Sequence, residues 1–474
     1  MRMRCATWPF LALVGLVWSS IAVPLLNASD WPQFLGPQRN GTSDEKGLAP
    51  RIPSNGLPIL WEKAVGKGYA APSIQGGKLI LFQREGNEET IAALDVESGM
   101  QRWRYAYPSH YRDPYGYNNG PRAAPLISSN RVYTFGAEGR LVCLNLEDGH
   151  LVWQRDTATE FLVPEAFFGV GSSPLISDGR LYVMVGGQPN SGMAALDPGT
   201  GKTLWESTGQ ACWDGVVAAG WRGERQYRWS GAEKLASYSS PFETTIQGRK
   251  LLLCFMRQGL AALNPTNGAV QFVRWFQSEA NDSVNAMTPV VHGDEILISA
   301  AYYSMGSALL RVGADGTNYT EVWHQPRSPL LRDPNTGHSM EAVLGMHWSQ
   351  PILIDGYLYG FTGRNEPDAY FRCVEWATGR KMWERDERWA PHSTEQPAVM
   401  GRGSMIYADG RLIALGEGGI LAMYTPDPKG CEELGRWQVP SLQHPSWAGP
   451  VLAGRRLYLR SEDRLVCLDI AAKN

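Results

Sequence analysis

Residues 194–205 read AALDPGTGKTLW, and this pattern decides the fold. An apolar strand is followed by Asp or Asn, by Gly four residues later and by Trp after four more. The unit recurs about every 50 residues, and such a unit cannot bury its own apolar face, so neighbouring units must stack. The further copies are AALDVESGMQRW at 92–103, VCLNLEDGHLVW at 142–153, AALNPTNGAVQF at 261–272 and RCVEWATGRKMW at 372–383.

The start and the end of each unit can be located in the sequence. Seven units open on a proline next to small residues, and an eighth opens at Ser404 in the same context: Pro72, Pro125, Pro174, Pro241, Pro289, Pro351 and Pro450. Seven aromatic residues close units, and we interpret them as structural side chains that dock one blade on the next: Trp103, Trp153, Trp205, Phe272, Trp323, Trp383 and Trp437.

The last unit stops without a closing aromatic, whereas Trp61 lies in a strand-like segment that precedes the first opening. An N-terminal strand that completes the last unit would close the ring and remove a sheet edge. The sequence therefore predicts an all-β, eight-bladed β-propeller over residues 61–474. Each blade has four antiparallel strands, and Trp61 docks with the other aromatic residues.

The first 60 residues read as two further segments. Arg2 and Arg4 precede an apolar run over 8–26, and small residues follow, so residues 1–29 are predicted to be an export signal. Cleavage just before Asp30 is preferred, cleavage after Ala22 is an alternative, and an uncleaved membrane anchor is the rival interpretation. Residues 30–60 form an N-terminal extension. We expect an exported protein of the periplasm or cell envelope.

Charge and cysteine content exclude several classes of protein. The formal net charge is −3 and no basic stripe occurs, so no nucleic-acid partner is expected. We also expect the protein to be a monomer. Cysteines share a repeat position that is Ala in other units, which predicts buried thiols, and Cys254 in an apolar strand reads the same way. Cys212 and Cys431 lie in predicted loops and could pair; their oxidation state is open. The three cysteines at the repeat position are Cys143, Cys373 and Cys467.

The repeat resembles the PQQ-like β-propeller family, whose ALDxxTGxxxW signature is present at 195–205. The resemblance covers roughly Trp61 to Asp469. The segment DWPQFLGPQRNGTS at 30–43 is similar to the start of exported PQQ-like propellers of planctomycete-type bacteria. The family includes quinoprotein dehydrogenases and the assembly lipoprotein BamB, so the resemblance implies the fold and leaves activity open.

A quinoprotein dehydrogenase is the alternative, and it would require PQQ with Ca²⁺. The adjacent Cys pair that such enzymes place over the quinone does not occur in this sequence, nor does a CxxCH haem site. The amide–acid stretch NDSVN at 281–285 could supply Ca²⁺ ligands, but we interpret it as an ordinary polar loop. A metal site shared by loop histidines is conceivable, although scattered loop histidines are usually structural. We therefore expect no cofactor, metal or catalytic residue; the loop histidines are His110, His338, His347, His392 and His444.

Long insertions are expected on one face of the ring, at 107–122, 210–229 and 324–348. Residues just before each opening proline should surround the mouth of the central channel on that face. This aromatic and polar collar would suit a sugar, peptide or planar ligand, with Arg122 for an anionic group, although packing of the mouth explains it equally well. The candidate ligand-binding residues are Tyr69, Arg122, Tyr238, Asn285, His347, Trp348 and Trp447, with Gly171 and Ala286 at equivalent positions.

These observations favour a non-catalytic scaffold. Its expected partner is a protein of the cell envelope, in a BamB-like assembly role, or a small polar or glycan ligand.

Overall fold

Eight four-stranded antiparallel sheets form a ring in the computed structural model, which confirms the predicted propeller. The structure describes residues 30–473 apart from 166–167, 219–224, 279–283, 303–304, 326–327, 333–338, 341–342, 365–367 and 390–398. The predicted export signal over residues 1–29 lies outside the described residues.

Two strands precede the first blade, β1 (Thr42–Ser43) and β2 (Ile59–Ala64). The first four blades follow in chain order. Blade 1 is β3 (Ser73–Gln75), β4 (Lys78–Glu85), β5 (Glu88–Asp95) and β6 (Gln101–Pro108). Blade 2 is β7 (Leu126–Ser128), β8 (Arg131–Phe135), β9 (Arg140–Asn145) and β10 (Leu151–Asp156), and helix α1 (Thr157–Glu160) follows it. Blade 3 is β11 (Leu175–Ser177), β12 (Arg180–Val183), β13 (Met193–Leu196) and β14 (Thr203–Ser207). Helix α2 (Gln210–Trp213) and the hairpin β15 (Val217–Ala218) and β16 (Arg225–Gln226) lead to blade 4, which is β17 (Phe242–Ile246), β18 (Arg249–Phe255), β19 (Gly259–Leu263) and β20 (Val270–Trp275).

The second half of the ring repeats the arrangement. Blade 5 is β21 (Val290–His292), β22 (Glu295–Ala300), β23 (Gly306–Val312) and β24 (Tyr319–Gln325), followed by the hairpin β25 (Ser328–Arg332) and β26 (Ser339–Met340). Blade 6 is β27 (Ile352–Ile354), β28 (Tyr357–Thr362), β29 (Tyr370–Glu375) and β30 (Lys381–Asp386). Blade 7 is β31 (Ser404–Ala408), β32 (Arg411–Leu415), β33 (Ile420–Thr425) and β34 (Glu432–Gln438). Blade 8 is β35 (Val451–Ala453), β36 (Arg456–Arg460) and β37 (Arg464–Asp469), with β2 as its fourth strand.

Each predicted opening lies where an inner strand begins. Every opening proline directly precedes the first strand of its blade, and Ser404 itself begins β31. A proline has no N–H to donate to the ladder, so it is tolerated at the start of a strand that lines the channel. The turns from first to second strand and from third to fourth strand are short, and we call the face that carries them the tight-turn face. The opposite face is the loop-bearing face.

Tryptophan and glycine meet at the seams between blades. The indole Nε1 of Trp103 in blade 1 donates to the carbonyl of Leu146 in blade 2 at 2.9 Å. Gly149 of the same blade 2 hairpin lies against that indole, and a Cβ atom there would be 2.6 Å from the ring. Because Gly149 also has φ +73°, the repeat glycine serves both the turn and the seam.

The same contact recurs around the ring. At six seams the indole N–H donates to a backbone carbonyl of the next blade, at 2.8–3.1 Å. At the seam from blade 4 the tryptophan is replaced by Phe272, which packs on Tyr319 with ring centroids 5.3 Å apart. The six donors are Trp61, Trp103, Trp153, Trp205, Trp323 and Trp383.

The two chain ends together build the eighth blade. Strand β2 pairs with β37, and Trp61 lies opposite Cys467, as Trp153 lies opposite Cys143 in blade 2. The turn that normally joins these strands is replaced by a backbone hydrogen bond of 2.9 Å from Asp469 to Pro58. Gly56 packs on Trp437 of blade 7 in the position of a hairpin glycine. The predicted closure by an N-terminal strand is therefore confirmed.

Residues 31–43, which we call the N-terminal plug, cross the channel near the tight-turn face. Trp31 forms a two-way backbone pair with Ile74 of blade 1 at 2.9 and 2.8 Å, and β1 runs parallel to β31 of blade 7. Arg39 is 3% exposed and donates to the carbonyls of Ser173, Pro174 and Pro241 at 2.9–3.1 Å. Burial lowers the pKa of Arg39 to about 9. The plug thus ties inner strands from opposite sides of the ring together.

The cysteines at the repeat position are fully buried, as predicted, and Cys254 is too. Cys212 and Cys431 are free thiols in separate apolar clusters, so the suggested pairing between them is wrong. Each thiol instead donates to a nearby carbonyl, Cys212 to Gly209 at 3.3 Å and Cys431 to Thr425 at 3.1 Å.

Trp61→Ala should lower the free energy of unfolding by about 3 kcal/mol, because it removes the indole that joins blades 8 and 1. The matched control is Leu60→Ala, the neighbouring residue on β2, which is 45% exposed and should change the free energy by less than about 0.5 kcal/mol. Urea titration of both variants measures the difference. Equal effects of the two substitutions would contradict the closure of the ring by Trp61.

Gly149→Ala and Gly248→Ala separate the seam from the turn. Both glycines have φ +73°, but an added Cβ at Gly248 meets nothing within 4 Å, whereas at Gly149 it meets Trp103. Gly248→Ala should therefore cost about 1 kcal/mol for backbone strain alone, and Gly149→Ala about 2–3 kcal/mol more. Denaturant titration decides the matter, and similar losses would show that the glycine serves only the turn.

Candidate functional site

A cavity of about 230 Å³ lies in the central channel. Its walls are the segments that precede the inner strands, and its floor is the N-terminal plug, from which Trp31, Phe34 and Leu35 line the cavity. The plug was recognised in the sequence only as a family-like segment, because nothing local in it signals insertion into a channel. The cavity is therefore blind at the tight-turn end.

Six of the seven predicted ligand-binding residues line this cavity, together with Gly171 and Ala286: Tyr69, Arg122, Tyr238, His347, Trp348 and Trp447. They come together because residues at equivalent positions before each inner strand meet around the channel axis. Their role in binding a ligand stays a prediction.

Asn285 is not part of the cavity lining. It is 1% exposed, and its side-chain amide donates to the carbonyls of Met256 and Phe276 at 2.8 and 3.0 Å. Its own carbonyl accepts hydrogen bonds from the backbone N–H groups of Tyr238 and Ser239. The structure thus gives Asn285 a positioning role beneath Tyr238, since its amide is spent on backbone carbonyls.

Aromatic rings surround the mouth of the cavity, and we call them the aromatic collar. Neighbouring rings touch with centroids 4.4–6.0 Å apart, and Trp447 alone contacts Tyr69 at 4.9 Å, Trp348 at 5.0 Å and Tyr117 at 5.4 Å. Tilted and edge-on pairs of this kind stabilise one another beyond their buried area. The collar consists of Tyr69, Tyr117, Phe168, Tyr238, Tyr302, His347, Trp348 and Trp447.

A buried ion pair supports the collar, and sequence reasoning missed it. Arg402 lies over the ring of Trp348 at 4.3 Å and donates to Glu417 at 2.9 Å. The carboxylate of Glu417 also accepts from the indole Nε1 of Trp447 at 3.0 Å. Arg402 lies two residues before the blade opening that lacks a proline, and the two partners share no motif that could have identified them.

Opposing effects set the ionisation of Glu417. Burial alone would raise its pKa, but the neighbouring imidazole of His444, 3.8 Å away, and the charge of Arg402 outweigh burial and leave the pKa below its ordinary value. Glu417 is therefore ionised at neutral pH, and it compensates the positive charge of Arg402 beside the collar.

Arg122 is also paired, which bears on its predicted role. Its guanidinium donates to Asp113 at 2.6 Å, and the Asp113 side chain is fully buried while that of Arg122 is 11% exposed. The same guanidinium donates to the carbonyl of Gly120 at 2.8 Å. The charge of Arg122 is already neutralised by Asp113 within its own loop, and an anionic ligand would therefore have to compete with Asp113.

His347 is a neutral member of the collar. Burial, with the charges of Arg402 and Arg364, holds the pKa of His347 well below its ordinary value. One ring nitrogen, Nε2, lies 2.8 Å from the hydroxyl of Tyr302. The histidine therefore adds an uncharged ring to the collar at physiological pH.

Two of the three long insertions contribute to the cavity. The insertion at 107–122 supplies Tyr117 and Arg122, and the one at 324–348 supplies His347 and Trp348. The described residues of the insertion at 210–229 do not line the cavity; Trp213 is fully buried, and the ring of Tyr227 lies 4.8 Å from that of Trp275.

A metal or quinone site finds little support in the side chains that are described. Within the described ranges, no group of three His, Cys, Asp or Glu residues could hold a metal ion. The carboxylates beside the collar, Asp113 and Glu417, are each bound to an arginine, so neither is available to Ca²⁺. The stretch 281–283 and the histidines His338 and His392 lie outside the described residues. Among the described residues, Asp113 and Glu417 beside the cavity therefore do not fit as ligands of a PQQ-bound Ca²⁺.

A search for membrane-crossing helices covered the described part of the chain. No helix there is both long and apolar enough to span a bilayer.

Comparison with known families gives one extended match. A family model described as outer membrane protein assembly factor BamB matches residues 87–336, which is more than half of the chain. A curated relative with the same description, from Shewanella oneidensis, is 28% identical over 156 residues. That match spans 31% of this chain and 36% of the relative's length.

Solved structures share the fold at low sequence identity. BamB from Moraxella catarrhalis superposes with a TM-score of 0.54 at 14% identity, covering 88% of this chain and 99% of that one. Quinohemoprotein alcohol dehydrogenase from Comamonas testosteroni superposes with a TM-score of 0.59 at 13% identity, covering 94% and 81%. At such identities these similarities establish the propeller fold and leave the activity open.

Glu417→Gln should destabilise the protein in a pH-dependent manner. Because the folded-state pKa of Glu417 lies below its ordinary value, its ionic contribution is present at neutral pH and is lost as the pH falls through the folded-state pKa. The variant should lose about 3 kcal/mol at pH 7, because the buried Arg402 loses the carboxylate of Glu417, and the difference from wild type should narrow towards about pH 3. Urea titrations across this range measure the difference, with the exposed Glu62→Gln as control; a difference independent of pH would contradict the ion pair.

Proposed function

We propose, from the premise that the chain belongs to the family described as outer membrane protein assembly factor BamB, that it is an exported, non-catalytic scaffold. In this proposal the propeller binds a protein partner of the cell envelope on its loop-bearing face. The named relatives are assembly factors, and the matched region covers only about a third of the relative's length, so the transfer of their role to this chain is part of the proposal.

One observation carries the proposal: the two faces of the ring are built differently. The tight-turn face has short hairpins, and the plug closes the channel behind it. The loop-bearing face has long insertions, the aromatic collar and the open end of a cavity. Rigid scaffolds commonly bind through such loops, and aromatic residues are frequent at the energetic centres of protein interfaces.

Quinoprotein dehydrogenases share the fold and remain the alternative function, and the chemistry of the collar argues against it. Both carboxylates beside the collar are neutralised by arginine, and His347 is held neutral by burial. These groups position the aromatic rings. Because the ionisable groups beside the collar are engaged in holding the aromatic rings in place, the arrangement favours recognition over catalysis.

The predicted signal at 1–29 and the family match support an exported location. Asp30 accepts a hydrogen bond from the backbone of Gly76 at 3.1 Å, so the described chain begins on the tight-turn face.

Capture of envelope proteins by the full-length, C-terminally tagged chain tests the proposal. The variant Tyr115→Ala with Leu162→Ala removes exposed apolar side chains, 53% and 70% exposed, from the loop-bearing face. It should weaken binding of the captured partner about tenfold. Fractionation of cells should place the wild-type chain in the envelope.

The matched control is Met100→Ala with Leu204→Ala, which removes side chains that are 66% and 51% exposed near the tight-turn face. This control should retain the partner. Loss of the partner with the control but not with the loop variant would refute binding on the loop-bearing face. Turnover of an alcohol by the purified chain supplied with PQQ and Ca²⁺ would refute the non-catalytic assignment.

A further inference from the structure

We propose that the channel cavity is an insertion site for a single bulky, uncharged apolar side chain, which the protein partner presents at the tip of a loop. This inference rests on the proposed function, because it names the group by which the partner would be recognised. It concerns the cavity between the aromatic collar and the N-terminal plug.

The deep end of the cavity is apolar. The plug contributes Trp31, Phe34 and Leu35 to it, and blade 7 contributes Met405 and Ile406. An apolar group that enters this space leaves water for an apolar environment, which stabilises the complex in proportion to the buried area.

Two glutamines of the lining, Gln33 and Gln350, are already hydrogen-bonded within the protein. Gln350 exchanges two hydrogen bonds with the backbone of Thr288, at 3.0 and 3.1 Å. Gln33 donates to Pro37 and accepts from Arg39. Two buried polar atoms of the lining, His347 Nδ1 and Trp348 Nε1, have no hydrogen-bond partner among the described residues, and both belong to the collar. A saccharide at the deep end would bury its hydroxyl groups away from these atoms, at a cost of about 1–3 kcal/mol each, so a polar ligand is disfavoured there.

The aromatic collar acts as an aperture. Trp447 is surrounded by Tyr69, Tyr117, Trp348 and His444 at ring-centroid distances of 4.9–5.7 Å, and Arg402 covers Trp348. The rings meet at tilted and edge-on angles of 43–90°, and the Arg402 guanidinium lies over Trp348, so these contacts reduce the indole surface on which a sugar ring could stack. A group that passes through the collar gains its contacts deeper, against the apolar floor.

Charge and size narrow the ligand further. Asp113 and Glu417 compensate Arg122 and Arg402, so the mouth offers no uncompensated charge from these pairs to an ionic group. The volume of about 230 Å³ is below the 300–1,000 Å³ typical of drug-sized ligands. One aromatic ring system fits this space, whereas a folded peptide segment does not.

Two glycines provide a matched pair of variants. Gly449 lines the cavity and Gly418 does not, yet a Cβ added at either position meets nothing within 4 Å. Gly449→Phe therefore fills the cavity without removing a contact, and Gly418→Phe makes the same change on the same face outside it. Thermal unfolding shows whether both variants fold. If Gly449→Phe does not fold, Gly449→Leu is used as the smaller substitution.

Ligand-detected NMR with N-acetyl-L-tryptophanamide is the direct test. The full chain should bind this probe with a Kd on the order of 1 mM, as expected for a ligand of about 15–20 heavy atoms. Gly449→Phe should weaken binding at least about tenfold, and Gly418→Phe should leave it unchanged. N-acetyl-L-glutaminamide and cellobiose, the polar probes, should not bind.

Several outcomes would overturn the inference. Absence of binding of the indole probe at about 10 mM, equal binding by Gly449→Phe, or preference for cellobiose would each do so while leaving the scaffold proposal intact. The capture experiment distinguishes the source of the apolar group. Gly449→Phe should lose the partner; a partner retained by a variant that no longer binds the probe would show that the cavity takes a free small molecule instead.

Discussion

The contact between an indole and a glycine of the next blade, present at six of the eight seams, is the constraint on which this structure depends. Trp103 illustrates it: the ring lies against Gly149 of the next blade, and its N–H is satisfied by the carbonyl of Leu146. Because the contact includes a hydrogen bond and a close approach to backbone, it fixes both the distance and the orientation of neighbouring blades. Repetition of this geometry sets the curvature of the ring, and eight blades leave a central channel wide enough for a cavity.

The constraint also explains how the ring is closed. Blade 8 has no outer strand of its own, so β2 supplies Trp61 for the seam with blade 1, and Gly56 takes the place of the hairpin glycine against Trp437. The same N-terminal region then continues backwards through the channel as the plug. Ring closure and the plug are therefore coupled. The cavity has a floor because the segment that precedes the closing strand β2 crosses the channel near the tight-turn face.

The collar gains its rigidity from charges that are hidden behind aromatic rings. Arg402 and Glu417 form a buried pair that holds Trp348 and Trp447, and Arg122 with Asp113 does the same beside Tyr69. A buried pair of this kind contributes little net stability compared with an apolar contact, but breaking it is costly, so it specifies one arrangement of the rings. This arrangement is the physical basis for the proposed recognition of a single apolar group.

The sequence by itself determined the repeat, the number of blades, the closing strand and six of the residues that line the cavity. These features follow from local periodicity, because an Asp/Asn–Gly–Trp unit and an opening proline recur at fixed positions and equivalent residues must meet on the ring axis. Only the tertiary structure decided the rest. The plug, the Arg402–Glu417 pair and the hydrogen bonds of the buried Asn285 amide depend on contacts between segments that are separate in sequence. No local pattern records which partner a buried polar group will find.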